Sequence, residues 1–351
     1  MTRTKLFIFL VQSQMSLATA RVPQILSSDV NKDAWISVLI SGLLLQLVII
    51  MIWLLLKRYP TITWYQILSA TLGSFMGKII SLSFAGYFIY IATMEVLSAA
   101  ELLQFWMLTF TPKFIIIILV TFAGILLARE NLQTIIRFYT FTVILIIIFP
   151  ILATVTFINS DIRYILPLGS TGTSAILNAS YESFCSLTGI IAMIMIYVQT
   201  KGSALQKLGT ISLANLCMTL FFSFLLFSAS VVLSPELLTV AKFYAIFTVR
   251  DLTLGLIQRI DLYYVLIGLL FKIVSCVTFL YLSASGIGHV LGKNHHREAV
   301  PYLGLIVILL ALSPLFDTTN INNIVTVTFV VIIPSLLLIF SYMFNRNKNL
   351  M

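Results

Sequence analysis

The sequence predicts an all-α polytopic membrane protein: ten transmembrane helices in two inverted halves of five, with the first helix of each half broken. Three observations predict it. Of 351 residues, 60% are hydrophobic and 9% charged, more apolar surface than a soluble globule can cover with a charged exterior. Ten stretches approach the roughly 20 mostly apolar residues that cross a bilayer. Finally, the basic residues concentrate on alternate loops, the pattern that orients helices across a membrane.

The ten stretches are 5–26, 34–56, 79–108, 112–129, 132–158, 175–200, 210–233, 257–288, 300–316 and 322–344. With the N-terminus in the cytoplasm, the inner loops carry Arg3, Lys5, Lys57, Arg58, Lys78, Arg129, Arg137, Lys201, Lys207, Lys293, Arg297, Arg346 and Lys348. The outer loops carry Lys32, Lys113, Arg163, Lys242, Arg250 and Arg259. Thirteen face six, and Arg21 and Lys272 inside the membrane complete the 21. The bias predicts ten crossings with both ends cytoplasmic. The net charge of +9 is then a record of topology, not of nucleic-acid affinity. No polar stretch exceeds those at 57–78, 159–174 and 234–256, so the chain reads as a single transmembrane domain over 1–351, with one repeat at 5–158 and a second at 175–344.

Five is odd, so span 6 runs opposite to span 1 and the repeat is inverted. In transporters built this way the ligand sits near the midplane, where the first helix of each half unwinds. Spans 1 and 6 are the two that small and polar residues interrupt, with "QSQMSLATA" at 12–20 and "NASYESFCSLTG" at 178–189. The expected pocket is therefore Met15, Ser16, Leu17, Ala18 and Thr19 facing Ser186, Leu187, Thr188 and Gly189. Freed backbone N–H and C=O groups there would hold a carboxylate and an ammonium, while Leu187, Met15 and Tyr90 would set the size of the side chain accepted. A signal peptide is the competing reading of the N-terminus, with Arg3 and Lys5 before "LFIFLV" and an Ala18-Thr19-Ala20 site. Its apolar core is six residues, short of the usual range of about 7–15, and its removal would leave span 6 without a counterpart. The expectation is a retained helix.

A set of motifs then resembles a known family. "KDAWIS" opens span 2, "KRYPTITWYQILSATLGSFMGK" follows it, and "FTP" precedes span 4. "RENLQTIIRF", "ILPLGSTG", "SPELLTVAKFYAIFTVRD" and "QRIDLYYVLIGLLFK" come after in that order. In order and spacing the chain resembles the B subunits of bacterial spore germinant receptors, the endospore germination permeases of the amino acid–polyamine–organocation superfamily. The resemblance implies a ten-helix LeuT-like fold in the spore inner membrane and a small germinant such as an amino acid. It also implies two partners, an A-type membrane subunit and a C-type lipoprotein, and no cofactor. An active amino-acid permease of the same fold is the alternative. The chain departs from the family at Ser16 and Ala18, where glycines are usual, at Arg21, and at "CSLTG" in span 6.

Charge inside the membrane marks further candidates, since an intramembrane carboxylate costs a few kcal/mol unless protonated, hydrated or paired. Glu95 and Glu101 stand two turns apart in span 3 and Lys272 in mid-span 8. Glu95 and Lys272 read either as a coupling or gating pair or as a static ion pair, and the resemblance adds that Lys272 would stand in for a sodium ion. Tyr90 and Thr93 either line the pocket from span 3 or simply pack. Arg21 reads as a snorkelling residue. "KNHHRE" at 293–298 reads as a solvated charge run, and Cys185, Cys217 and Cys276 as small buried hydrophobes. Enzymatic chemistry is not expected: the sequence has no HExxH or GxGD, and "SASG" at 283–286 lacks the first glycine of a serine-protease motif.

Overall fold

A computed structural model describes residues 1–26, 30–234, 237–238, 243–250, 252, 259–292, 296–314, 316 and 323–343; the side chains of Ser16 and Arg21, and all of Lys293 and His295, lie outside the description. Every regular element among the described residues is helical. The first half comprises α1 (Arg3–Leu26), α2 (Ala34–Arg58), α3 (Trp64–Leu72), α4 (Ser74–Trp106), α5 (Lys113–Ala128), α6 (Leu132–Thr142) and α7 (Ile148–Val155), the last two joined by a 3₁₀ segment. The second half comprises α8 (Thr173–Leu187), a 3₁₀ turn at Thr188–Ala192, α9 (Met193–Ile196), α10 (Ala204–Val232), α11 (Tyr244–Arg250), α12 (Ile260–Val290), α13 (His296–Leu312), α14 (Asn323–Val327) and α15 (Ile333–Met343).

Seven described helical runs are long and apolar enough to cross a membrane: Ala34–Arg58, Ser74–Trp106, Leu132–Ile158, Thr173–Ile196, Ala204–Val232, Ile260–Val290 and Asn323–Met343. The three remaining expected spans coincide with α1, α5 and α13, of 24, 16 and 17 residues. α2 shows how such a helix divides its surface. It is apolar all round, yet Leu45, Ile49, Ile52 and Leu56 are buried while Leu43 and Leu47 are 71% and 65% exposed. In water that outer face would be an aggregation surface; in hydrocarbon it is the solvated side, which makes this a multi-pass membrane protein.

Short polar joints set the helix ends. Thr63 caps α3 through Gln66, whose Oε1 accepts from Thr63 N at 2.8 Å, and Gly73 with φ 87° turns the chain into α4, a conformation that favours glycine. Asp33, fully buried before α2, accepts from Gly169 N at 3.0 Å and Thr171 Oγ1 at 2.8 Å. That carboxylate ties the start of α2 to the 159–172 connection between the halves.

α1 runs through the middle of the bundle, touching α4, α6, α8, α10, α12 and the 188–192 turn. Around it α2 packs on α10, α4 on α12, and α5 on α13. Small residues allow the closest approaches: Gly42 meets Thr219 between α2 and α10, and Gly304 meets Ile125 between α13 and α5.

Two expectations about helix breaks part here. α1 is an unbroken helix from Arg3 to Leu26, so the non-helical centre expected at Ser16, Ala18 and Thr19 is not present. The residues read as a break keep their helical backbone bonds, and the glutamines among them find side-chain partners on neighbouring helices. Span 6 stays α-helical through most of the stretch read as a break, 178–189, and passes from α8 into a 3₁₀ turn at Thr188. One cysteine also differs: Cys185 and Cys276 are buried, but Cys217 is exposed, on the lipid side of α10, where a thiol is apolar enough to reside.

Candidate functional site at the crossing of α1 and the 188–192 turn

Gly189 is the pivot of the site. A Cβ there would collide with the Ser13 carbonyl oxygen and stand 2.8 Å from its carbon and 2.9 Å from Gln14 Cα. Only a glycine lets the two backbones meet so closely, and a 3₁₀ turn inside a long helix often marks a hinge. Spans 1 and 6 thus face each other as the sequence implied, but the close contact lies at Ser13 and Gln14, about a turn nearer the start of α1 than the expected 16–19.

Two glutamines, overlooked as candidates in the sequence, organise the polar centre. Gln12 and Gln14 are each fully buried. Gln12 Nε2 donates to Thr142 Oγ1 at 2.9 Å. Near it, Tyr139 OH lies 2.6 Å from Thr278 Oγ1 and donates to Val274 O at 2.9 Å, so a polar thread joins α1, α6 and α12. Gln14 Nε2 donates to Asn215 Oδ1 at 3.2 Å, and Asn215 Nδ2 donates to Gly42 O at 3.1 Å and Gln46 Oε1 at 3.3 Å. A second thread therefore joins α1 to α10 and α2. The side-chain oxygens of Gln12 and Gln14 remain buried without a protein partner among the described residues, a state that costs roughly 1–3 kcal/mol each unless something donates to them. The signal was available in "QSQ": an amide in hydrocarbon needs a partner or a ligand.

The expected residues fall into three groups. Met15, Leu17 and Ala18 are buried, as are Leu187 and Thr188, so the two segments do come together in the core. Three hydroxyls of that set are spent inside their own helices: Ser186 Oγ donates to Glu182 O at 2.8 Å, Thr188 Oγ1 to Cys185 O at 2.7 Å, and Thr93 Oγ1 to Ile89 O at 2.9 Å. Thr19 and Tyr90 are half-buried, and the Tyr90 ring lies 6.1 Å from that of Phe316.

Glu95 and Lys272 are both buried, on the closely packed pair α4 and α12. Lys272 Nζ donates to Ser98 Oγ at 2.6 Å, one turn from Glu95. The two glutamates separate in role: Glu101 reaches outward to Lys113, 3.7 Å away at a partly exposed site.

A central helix wrapped by two intermingled sets of helices, with a close glycine contact and buried amides at the crossing, defines a transporter-type membrane fold. Among solved structures, Mhp1, a nucleobase-cation-symport-1 family transporter in a closed conformation with bromovinylhydantoin bound, is similar to this chain with a TM-score of 0.68; 10% of residues are identical and the match covers 99% of this chain and 79% of that one. The likeness is one of fold. The family model for "Spore germination protein" matches residues 1–321, and the chain belongs to that family. It is similar to Spore germination protein A2 of Bacillus subtilis (strain 168), 24% identical over 300 residues, 84% of this chain and 81% of that protein. It is also similar to Spore germination protein YndE of the same strain, 26% identical over 189 residues, 53% and 52% of the two chains. The family is permease-like and not a class of enzymes.

Proposed function

We propose that this protein is the germinant-sensing membrane subunit of a spore germination receptor. A small molecule such as an amino acid binds it at the midplane, at the crossing of α1 and the 188–192 turn. The observation that carries the reading is the pair of buried, unpartnered amide oxygens at Gln12 and Gln14 beside the Gly189 contact, in a chain of the spore germination family. An ammonium is a group that would donate to such an acceptor. Met15 to Thr19 and Ser186 to Gly189 form the walls, with Leu187 and Tyr90 limiting the side chain accepted and Thr93 behind them. Glu95 and Lys272 act as the coupling pair one layer away.

Ten crossings as two inverted repeats of one transmembrane domain are part of the proposal, with α1, α5 and α13 completing the set. What supports it is the pairing of counterparts: α1 touches α8, α2 touches α10, α4 touches α12 and α5 touches α13, as first-to-sixth through fourth-to-ninth helices meet around an inverted two-fold axis. Both termini are then cytoplasmic, the membrane is the spore inner membrane, and the partners are an A-type membrane subunit and a C-type lipoprotein. An amino-acid permease of the same fold is the second reading, favoured by the transporter likeness. Reconstituted vesicles given a labelled amino acid separate the two. Saturable binding without accumulation, lost in Gln14→Leu, marks a receptor; accumulation against a gradient marks a permease; no binding of any amino acid refutes both.

A further inference from the structure

We propose that the protein carries a second binding site, for a small aromatic carboxylate, at the end of the bundle where α1 begins. A cavity of about 330 Å³ lies there between α3, the end of α9 and the α12–α13 corner, within the size range of small-molecule sites. Its walls include Tyr65, Gln199, Tyr281, Ser285, His289 and His296. Beside it a second cavity of about 250 Å³ shares Leu132 and Gln199 and adds Lys5 and Lys201. Among the described residues, no aspartate or glutamate lines either one.

That lining selects a class of ligand. The Tyr65 and His289 rings are stacked with centroids 5.8 Å apart and planes 19° apart. Across the same cavity the Tyr281 and His296 rings meet edge to face at 5.2 Å. Two aromatic pairs facing one space accept a flat body by stacking. The polar groups beside them include donors: the His289 ring and the side-chain amide of Gln199 make no hydrogen bond among the described residues, and Lys5 and Lys201 add positive charge next door. His296 is anchored through Nε2, 3.4 Å from Glu130 O. A carboxylate at Gln199, with its ring between the two aromatic pairs, satisfies these groups together; an ammonium there would stand beside Lys5 and Lys201 with no carboxylate among the described lining to offset them. None of the residues proposed for the midplane site lines this cavity, so the two proposals stand or fall separately.

The test is calorimetric titration of the full chain in lipid nanodiscs with benzoate, benzylamine, benzyl alcohol and inorganic phosphate. Benzoate should bind saturably, at least tenfold tighter than each of the other three. His289→Gln and Lys201→Gln should each weaken it tenfold or more, and Ser285→Leu, which fills the cavity, should abolish it. An unchanged melting temperature in Lys201→Gln, an exposed position, keeps the result independent of folding. The proposal is overturned by absence of saturable benzoate binding, by benzylamine or phosphate binding as tightly, or by affinities that all three variants leave unchanged.

Discussion

Gly189→Ala adds one methyl group at the tightest backbone contact in the molecule's centre, and its cost can be worked from the structure. The new Cβ would stand 2.8 Å from Ser13 C and 2.9 Å from Gln14 Cα, where 3.4 Å is ordinary contact. The obstacles are backbone atoms, so no side chain can turn aside, and α1 and the 188–192 turn must separate by about 0.5 Å or more. α1 is also packed on α6, α10 and α12, so that movement is resisted from the other side. Overpacking of this kind costs about 1–3 kcal/mol. At roughly 2 °C per kcal/mol for a chain of this size the melting temperature should fall by about 2–6 °C. The assay is thermal melting of the purified protein in detergent. Gly86→Ala is the control, since nothing lies within 4 Å of its Cβ position and alanine favours a helix over glycine by up to about 1 kcal/mol. A Gly189→Ala protein that melts with the wild type, or a Gly86→Ala protein that falls as far, refutes the reasoning.

Other outcomes follow from the same geometry. Gln12→Leu should lower stability by about 1–3 kcal/mol by removing the donor to Thr142, and adding Thr142→Val should cost little more; strict additivity in a double-mutant cycle would deny the bond. Glu95→Gln alone should destabilise more than Glu95→Gln with Lys272→Met, because one change leaves a buried charge unbalanced and both together do not; additive single effects would remove the pairing. Leu187→Val should shift germinant preference by about 1–3 kcal/mol of relative affinity, the worth of one methylene in an apolar pocket, as read from dose-response curves with abundance held equal. On the exposed loop before α8, the hydrogen bonds from Arg163 hold the Asp161 carboxyl below its ordinary value. Its stabilising effect is therefore present above the ordinary carboxylate range and lost as pH falls through the lowered value, so Asp161→Asn should leave the pH dependence of hydrogen exchange in that loop unchanged between pH 6 and 8.

The membrane class and the helix positions were legible in the sequence because both are one-dimensional. A bilayer demands about 20 apolar residues per crossing, and the expected stretches 34–56 and 132–158 meet the observed runs Ala34–Arg58 and Leu132–Ile158 within two residues at each end. In span 6 the glycine of "CSLTG" does fall where another backbone passes, although the helix runs on through 178–187, read as part of an interruption. What misled was the other interruption. Small and polar residues weaken a helix only when nothing compensates them, and whether Gln12 meets Thr142 or Gln14 meets Asn215, 130 and 201 residues away, is not written in the neighbouring letters.

The sequence by itself thus determined the solvent, the rough limits of the long apolar helices, the pairing of spans 1 and 6, and the family to which the chain belongs. Only the tertiary structure decided that α1 stays helical, that its contact with Gly189 falls at Ser13, that Glu101 turns to Lys113 while Glu95 stays buried beside the Lys272 helix, and that His289 and His296 share a cavity. The physical reason is common to all four. Hydropathy and charge act residue by residue against a uniform medium, whereas a hydrogen bond, a glycine contact or a shared cavity exists only between elements that the fold brings together.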